Sequence, residues 1–334
     1  MSRMLLVLLG VLSISLLGCG EKPAGGEGAE GDRAGDAGEG QDGGSGQAEE
    51  FVLETPDLEV GQWISYGVDA EPGVVTISAV AEENFSGSDC VWIQVEVPGD
   101  QGDQTVFQIL VDPVLMAGSM EGYTGMMNEF MEDPAAWVEQ YHDTQSMLMD
   151  PEGIEKMISF ISALKMVKLD QGGQVMAFDL SGVPAVIQSM VEDSAFIAQM
   201  QSGMEMNAQT GQMDSLRTIM EQSEFSFEPG TVQAGGSTIE CMTFSMEHEK
   251  GSIEISFSTE LPILPLARVA LTSREDSETH VLEVRDFGME GAENLLPGAP
   301  VQVVDAAQFL QMMMAQAQSQ PAPQQSRGMR QGIR

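Results

Sequence analysis

The sequence predicts an α+β domain built from an antiparallel β-sheet with a long helical, methionine-rich insertion. Two blocks of the chain contain short runs of alternating apolar and polar residues, with turn residues about every 8 to 12 positions. Between these blocks, residues 113–222 contain 16 of the 25 methionines and two Asp-Pro pairs, which are typical of helix starts. We therefore expect a sheet that is interrupted by helices and then resumes.

The first block, from residue 62 onward, predicts four strands. Three of them have apolar residues at every second position, and the fourth is expected over residues 105–111. The adjacent acidic residues Glu82 and Glu83 are expected in the turn after the second strand. In the third strand Cys90, Trp92, Gln94 and Glu96 face away from the apolar set. The apolar sets are Ile64, Tyr66 and Val68; Val75, Ile77 and Ala79; and Val91, Ile93, Val95 and Val97.

Asp133-Pro134 and Asp150-Pro151 each predict a helix N-cap followed by proline at the first helical position. Two further helical zones are expected at about 184–200 and 212–222. The strand pattern then returns over residues 238–246, 252–258, 267–273 and 280–286. Asp305 is predicted to cap a last helix containing Phe309 and Leu310, before a disordered Gln/Pro/Arg tail at 319–334.

Composition excludes several classes of function. The chain has 334 residues and a formal net charge of −38, a sign that repels nucleic-acid phosphates, so no nucleic-acid partner is expected. Three histidines and three cysteines are too few to predict a zinc site, and no nucleotide-binding loop or nucleophile motif stands in a credible setting. We expect no catalytic residues, no metal and no cofactor, and hence a protein that is not an enzyme.

The N-terminus carries Arg3 and then an apolar run over residues 4–17, which is short for a membrane-spanning helix and typical of an export signal. The following residues, Leu16-Leu17-Gly18-Cys19, resemble the lipobox of bacterial lipoproteins. The resemblance implies cleavage after Gly18 and attachment of a diacylglycerol to Cys19. Residues 1–18 would then be the signal peptide of a protein held at the cell envelope by its lipid. Because Gly20 rather than Asp follows the cysteine, the resemblance implies the periplasmic face of the outer membrane in a host with two membranes.

Residues 19–50 form the next predicted unit, an acidic tether. Residues 20–50 contain 11 glycines and 9 acidic residues but no aromatic or branched aliphatic residue, so they lack the apolar surface needed for folding. The folded domain is expected over residues 51–318.

Four short motifs of this domain resemble uncharacterised bacterial lipoproteins whose fold is similar to the lipoprotein-carrier half-barrel, the LolA/LolB-like class. They are Gly61-Gln62-Trp63-Ile64-Ser65-Tyr66, Cys90-Val91-Trp92, the stretch over 258–266, and Asp286-Phe287-Gly288. The resemblance implies a strongly curved antiparallel sheet, half-barrel-like, wrapped partly around helices. It also implies an apolar cavity between sheet and helices that accepts acyl chains.

Three functions stay open at this point. The first is binding of an apolar ligand, such as a fatty acyl chain, between sheet and helices. The second is a structural or protein-interaction role in the envelope, with a filled core. The third is Cu(I) binding by thioethers, for which Met147, Met149, Met204, Met206 and the run Met312-Met313-Met314 are the candidates. The residues expected to line an acyl site are Ile93, Val95, Phe107, Ile109, Met157, Ile158, Ile161 and Phe257.

Cys90 and Cys241 both fall on predicted strands and would be the two cysteines left after lipidation. An exported protein is exposed to oxidising conditions, so the two residues either form a disulfide or stay as two buried thiols. The sequence does not show whether their strands are neighbours.

Overall fold

The structure is a computed structural model, and it describes residues 57–68, 73–99, 104–132, 151–170, 174–192, 222–275, 277–298, 300 and 302–319. Several predictions lie outside these ranges. They are the export signal and Cys19, the tether, the helix expected at Asp133-Pro134, nearly all of the helical zone at 212–222, and the tail beyond residue 319.

The described strands form one sheet of twelve, in the spatial order β12-β6-β5-β4-β3-β2-β1-β11-β10-β9-β8-β7. Neighbouring strands are antiparallel except β12 and β6, which are parallel. The strands are β1 (Trp63–Val68), β2 (Val74–Phe85), β3 (Ser88–Pro98), β4 (Gln104–Val111), β5 (Leu164–Asp170), β6 (Val175–Asp179), β7 (Glu224–Ala234), β8 (Ser237–His248), β9 (Gly251–Phe257), β10 (Leu266–Ser273), β11 (Thr279–Gly288) and β12 (Gln302–Asp305).

The strands expected in the two alternating blocks are confirmed as β1–β4 and β8–β11, but the predicted fold class is wrong. Within residues 113–222 the chain returns to the sheet as β5 and β6, so this region is not a long helical insertion, and the parallel β6–β12 pair makes the sheet mixed. The prediction failed because Lys165 and Lys168 interrupt the apolar alternation of β5. Their partners come from distant parts of the chain, which a local pattern cannot show.

Four helices are described: α1 (Pro113–Glu132), α2 (Pro151–Ala163), α3 (Val183–Glu192) and α4 (Ala306–Ser319). The predicted start of α2 at Pro151 is confirmed, and so is the Asp305 cap of α4, whose Oδ1 accepts a hydrogen bond of 3.0 Å from the Gln308 N–H. Helix α1 has the same kind of start, because Asp112 Oδ1 accepts a hydrogen bond of 3.2 Å from the Leu115 N–H. The Asp112-Pro113 pair at this start has the same sequence pattern as Asp133-Pro134 and Asp150-Pro151.

The main core joins β1–β3 to β7–β11, strands that lie far apart in sequence. Its most buried members include Ile64, Tyr66, Val75, Ala267 and Val284, each at most 1% exposed. The Tyr66 hydroxyl donates a hydrogen bond of 2.9 Å to the Leu266 carbonyl, so the buried polar group is satisfied. The other buried members are Ile77, Val95, Val97, Val232, Ala234, Ile239, Cys241, Leu261, Ile263, Val269 and Leu282.

The sheet curls at its β7 end. Strand β7 is four places from β11 in the sheet order, yet the Gly235 N–H at the β7–β8 turn donates a hydrogen bond of 2.8 Å to the Arg285 carbonyl on β11. Gly235 has φ +56°, and a Cβ at this position would collide with Asp286 Oδ1. This left-handed backbone conformation favours a glycine where the hairpin meets β11.

Candidate functional site

Four of the residues predicted to line an acyl site form one patch on β3 and β4. Ile93 pairs with Ile109 and Val95 pairs with Phe107, so all four side chains lie on the same face. Val95 is a buried member of the main core, and Ile93 and Phe107 pack against that core. Phe257, at the end of β9, is also buried.

The other three predicted lining residues lie on α2 and belong to neither of the two buried apolar clusters. Met157 is 41% exposed, while Ile158 and Ile161 are half-buried. Ile93, Val95 and Phe107 are thus part of the main core or packed against it, whereas half-buried Ile109, like the three helical residues, belongs to neither cluster.

Cys90 and Cys241 are both buried free thiols, which is the second of the two alternatives. Cys241 lies in the main core. Cys90 belongs to a separate, smaller cluster with Val80, Trp92 and Leu110. Burial raises the pKa of both thiols, that of Cys241 to about 11.

A row of polar side chains crosses the opposite face of the sheet. Ser78 on β2 pairs with Gln94 on β3, Gln94 with Gln108 on β4, and Gln108 with Lys168 on β5. All four are buried, and the two glutamines are fully inaccessible. We call these four residues the polar row.

Residues 289–296, the strap, cover the centre of the polar row. Gln108 Nε2 donates hydrogen bonds to Gln94 Oε1 at 3.0 Å and to Asn294 Oδ1 at 2.7 Å. Gln94 Nε2 donates to the Glu293 carbonyl at 3.0 Å, and the Leu295 N–H donates to Gln94 Oε1 at 2.8 Å. Gln108 Oε1 is buried without a hydrogen-bond partner among the described residues. The network fixes the strap to the sheet and leaves one acceptor unused.

Lys168 and Trp92 form the end of this polar region. The Lys168 ammonium lies over the Trp92 ring, 3.8 Å from the ring centroid. The Trp92 indole N–H donates a hydrogen bond of 2.8 Å to Glu83 Oε2. Burial lowers the pKa of Lys168, and the negative charge of Glu83 opposes this shift. Glu82 and Glu83 lie within β2, so the prediction that they lie in the turn after this strand is wrong. The turn is formed by Ser86 and Gly87.

A second buried charge lies where the chain leaves β4 for α1. Asp112 is 5% exposed, and its Oδ2 lies 3.6 Å from the Lys165 ammonium. The Asp112 N–H donates to the Ala163 carbonyl at 2.8 Å, and Lys165 Nζ donates to the Ser162 carbonyl at 2.7 Å. These contacts join the start of α1 to the end of α2.

Sequence reasoning missed the polar row because Gln94 and Lys168 look like solvent-facing residues when only their own strands are considered. One signal was available. Gln94 lies two residues after Trp92 and therefore on the same face of β3. Because a tryptophan is more often buried than exposed, this face was not purely polar.

Within the described ranges, no group of three or more His, Cys, Asp or Glu side chains is placed to hold a metal ion. Of the methionines considered for Cu(I), Met147, Met149, Met204 and Met206 lie outside those ranges, while Met312 and Met313 are exposed on α4. None of the described helices has both the length and the apolar character needed to cross a bilayer.

No model of a known family matches the sequence, and no curated protein matches it. Among solved structures, a proposed lipoprotein from Parabacteroides distasonis is 8% identical, with a TM-score of 0.25, over 71% of this chain and all of that chain. A proposed exported protein from Bacteroides fragilis with a YmcC-like fold is 10% identical, with a TM-score of 0.24, over the same shares. At these TM-scores the two structures are only distantly similar to this chain.

Proposed function

We propose that this chain is an exported lipoprotein of the bacterial cell envelope, anchored through acyl chains on Cys19 and acting without catalysis. The observation that carries the proposal is the sequence Leu16-Leu17-Gly18-Cys19 directly after a short apolar run. A net charge of −38 does not favour adhesion to an anionic membrane, so buried acyl methylenes, at about 0.8 kcal/mol each, would supply the attachment. In a host with two membranes, we propose the periplasmic face of the outer one.

Within this class, the structure favours a structural or protein-interaction role with a filled core. Val95 is only 6% exposed inside the main core, with Ile93 and Phe107 packed against it. Side chains that pack against one another in this way fill an interior, whereas a ligand site needs an apolar cavity of a few hundred cubic ångströms. The partner would be another envelope protein, and acyl-chain binding stays a prediction.

Fractionation of the producing bacterium tests the anchor. Cys19→Ala is expected to remove incorporated palmitate and to move the protein out of the detergent-extractable membrane fraction. Cys90→Ala serves as the matched control, because that thiol is buried on β3 and would keep both properties. Membrane attachment and acyl labelling that survive Cys19→Ala would contradict the proposal.

A larger side chain in the predicted lining tests the filled core. Val95→Phe is expected to lower the free energy of unfolding by about 1–3 kcal/mol, because a packed core accommodates extra volume only with strain. Thr105→Phe, at an exposed position of β4, should change it little. If Val95→Phe is tolerated without cost and displaces a lipid that co-purifies with the wild-type chain, the acyl-binding prediction is correct instead.

A further inference from the structure

The loop that joins β9 to β10, residues 258–265, places two large apolar side chains in the main core. Leu261 is 3% exposed and Ile263 is 7% exposed, and both belong to the buried cluster of that core. Leu264 packs against the same cluster. Connections between strands usually run over the surface, so residues 258–265 differ from an ordinary loop in being part of the core packing. We call this segment the plug.

The backbone of the plug is strained at Ile263. This residue has φ +65°, in the left-handed region, and the Leu264 N–H donates a hydrogen bond of 2.6 Å to the Pro262 carbonyl. A hydrogen bond of this span around a positive φ defines a γ-turn of the rare, strained kind. Of the non-glycine residues with positive φ in the described part of the chain, only Ile263 is β-branched, and this makes the conformation costly. The burial of its side chain therefore has to offset a backbone cost.

Most hydrogen bonds of the plug are internal. The Ser258 N–H donates to the Pro265 carbonyl at 2.9 Å, and the Glu260 N–H donates to Ser258 Oγ at 3.2 Å. Within the described residues, a single hydrogen bond joins the plug to another strand, from the Glu240 N–H on β8 to Glu260 Oε1 at 3.1 Å. The plug can therefore leave the core without breaking a pair of strands.

Cys241 on β8 lies beside the plug. It belongs to the same buried cluster as Leu261 and Ile263, and it directly follows the residue whose N–H binds Glu260. Cys90 belongs to the separate, smaller cluster on β2–β4. Both are buried free thiols. Departure of the plug would thus expose Cys241 and leave Cys90 covered.

We propose that the plug opens as a unit while the sheet stays folded, so that the apolar interior beside Cys241 becomes accessible. The strain at Ile263 raises the free energy of the closed form, and the burial of Leu261 and Ile263 lowers it. The balance of these two effects sets the population of the open form, as in other local opening reactions. The inference concerns the folded domain and does not depend on the lipid anchor.

Thiol labelling of the folded full-length chain tests the plug. The chain is incubated with iodoacetamide at urea concentrations below its unfolding transition, and mass spectrometry of the peptides reports each cysteine separately. We expect Cys241 to react at least about tenfold faster than Cys90. Its rate should change little with urea, because local opening exposes little surface. Equal rates with the same steep dependence on urea would show that both thiols react only after global unfolding, and would overturn the inference.

Two variants at Ile263 test the strain. Ile263→Ala removes the apolar contact and keeps the unfavourable φ, so the labelling rate of Cys241 should rise about tenfold. Ile263→Gly also relieves the backbone, so its rate should be at least about threefold below that of Ile263→Ala. A faster rate in Ile263→Gly than in Ile263→Ala would overturn the inference of a strained plug. Leu261→Ala repeats the comparison with the unsubstituted chain if Ile263→Ala does not fold.

A variant on β7 distinguishes the plug from fraying of the β7–β8 hairpin. Val232→Ala truncates a buried side chain that pairs with Ile239 on β8, at a distance from the plug in sequence. It should leave the labelling rate of Cys241 below the unfolding transition unchanged. A faster rate in Val232→Ala, with none in Ile263→Ala, would assign the exposure of Cys241 to the hairpin and overturn the inference.

Discussion

Strands β1–β3 and β7–β11, the core half, bury Ile, Val, Leu and Tyr side chains against one another. The helical half, made of β4–β6, β12 and the four helices, buries a smaller apolar set and two ionisable side chains, Asp112 and Lys168. The helices also expose large apolar side chains, including Val114 on α1, Met157 on α2 and Phe309 on α4. The core half thus contains the larger apolar cluster, although it also buries Ser78 and Gln94. The helical half buries an acid and a base and leaves more apolar surface uncovered.

This difference indicates which half contributes most of the folding stability and which half is expected to provide a contact surface. Apolar burial contributes roughly 25 cal/mol per Å² and is non-directional. Buried charges cost free energy unless they are paired, so the helical half gains less from each buried group. A surface used for contact is therefore expected in the helical half, where large apolar side chains stay exposed to solvent.

The largest expected effect is a core truncation. Ile64→Ala removes a side chain that is fully inaccessible in the core half, and we expect a loss of about 2–5 kcal/mol in the free energy of unfolding. Ile158→Ala, the matched change on the half-buried face of α2, should cost less than half as much. Urea denaturation of both variants measures the difference. Equal losses would show that the two halves do not differ in this way.

The second effect is a pH dependence from the core half. Burial raises the pKa of Cys241 from 9.0 to about 11, so the folded chain keeps the thiol proton where the unfolded chain has lost it. This contribution to stability is complete below pH 9 and is lost as the pH rises through 11. Cys241→Ala should remove up to roughly 2 kcal/mol of the stability loss between these two pH values. Ser258→Ala, at a buried position without a thiol, should leave the loss unchanged, and an unchanged loss in Cys241→Ala would contradict the assignment.

The third effect concerns how α4 is held in the helical half. Gly182→Ala places a methyl group 2.8 Å from the Ala307 Cβ and is expected to destabilise the domain by about 1–2 kcal/mol. Gly118→Ala, on α1 with no atom within 4 Å of the added Cβ, should stabilise it by about 0.5–1 kcal/mol. Thermal unfolding compares the two. A neutral Gly182→Ala would mean that α4 is not tightly docked.

The smallest effect has the opposite sign from that of Cys241. Because burial lowers the pKa of Lys168 below 10.5, the unfolded chain binds a proton that the folded chain has released. The free-energy cost of burying the charged ammonium is therefore complete below the pKa of the folded state. It decreases as the pH rises towards 10.5, so the protein becomes more stable over that range. Lys168→Met should flatten that rise in urea denaturation over the alkaline range. Lys250→Met, at an exposed position, should not change it.

Much of the sheet could be predicted from the sequence because β1–β3 and β8–β11 show a period of two that needs no distant information. Lys165 and Lys168 hid β5, because both contact partners from elsewhere in the chain. Lys168 is buried against Trp92, and half-buried Lys165 lies beside Asp112. Strand β12 pairs with β6 across more than 120 residues, and no local pattern encodes such a pairing. For the same reason the strap over Gln94 and Gln108 could not be foreseen.

The measurement that tests the central claim most directly is the intact mass of the protein extracted from the membranes of its own host. The lipoprotein account predicts a chain that begins at Cys19 and carries the added mass of acyl chains. A chain that retains residues 1–18 and has an unmodified Cys19 would contradict it.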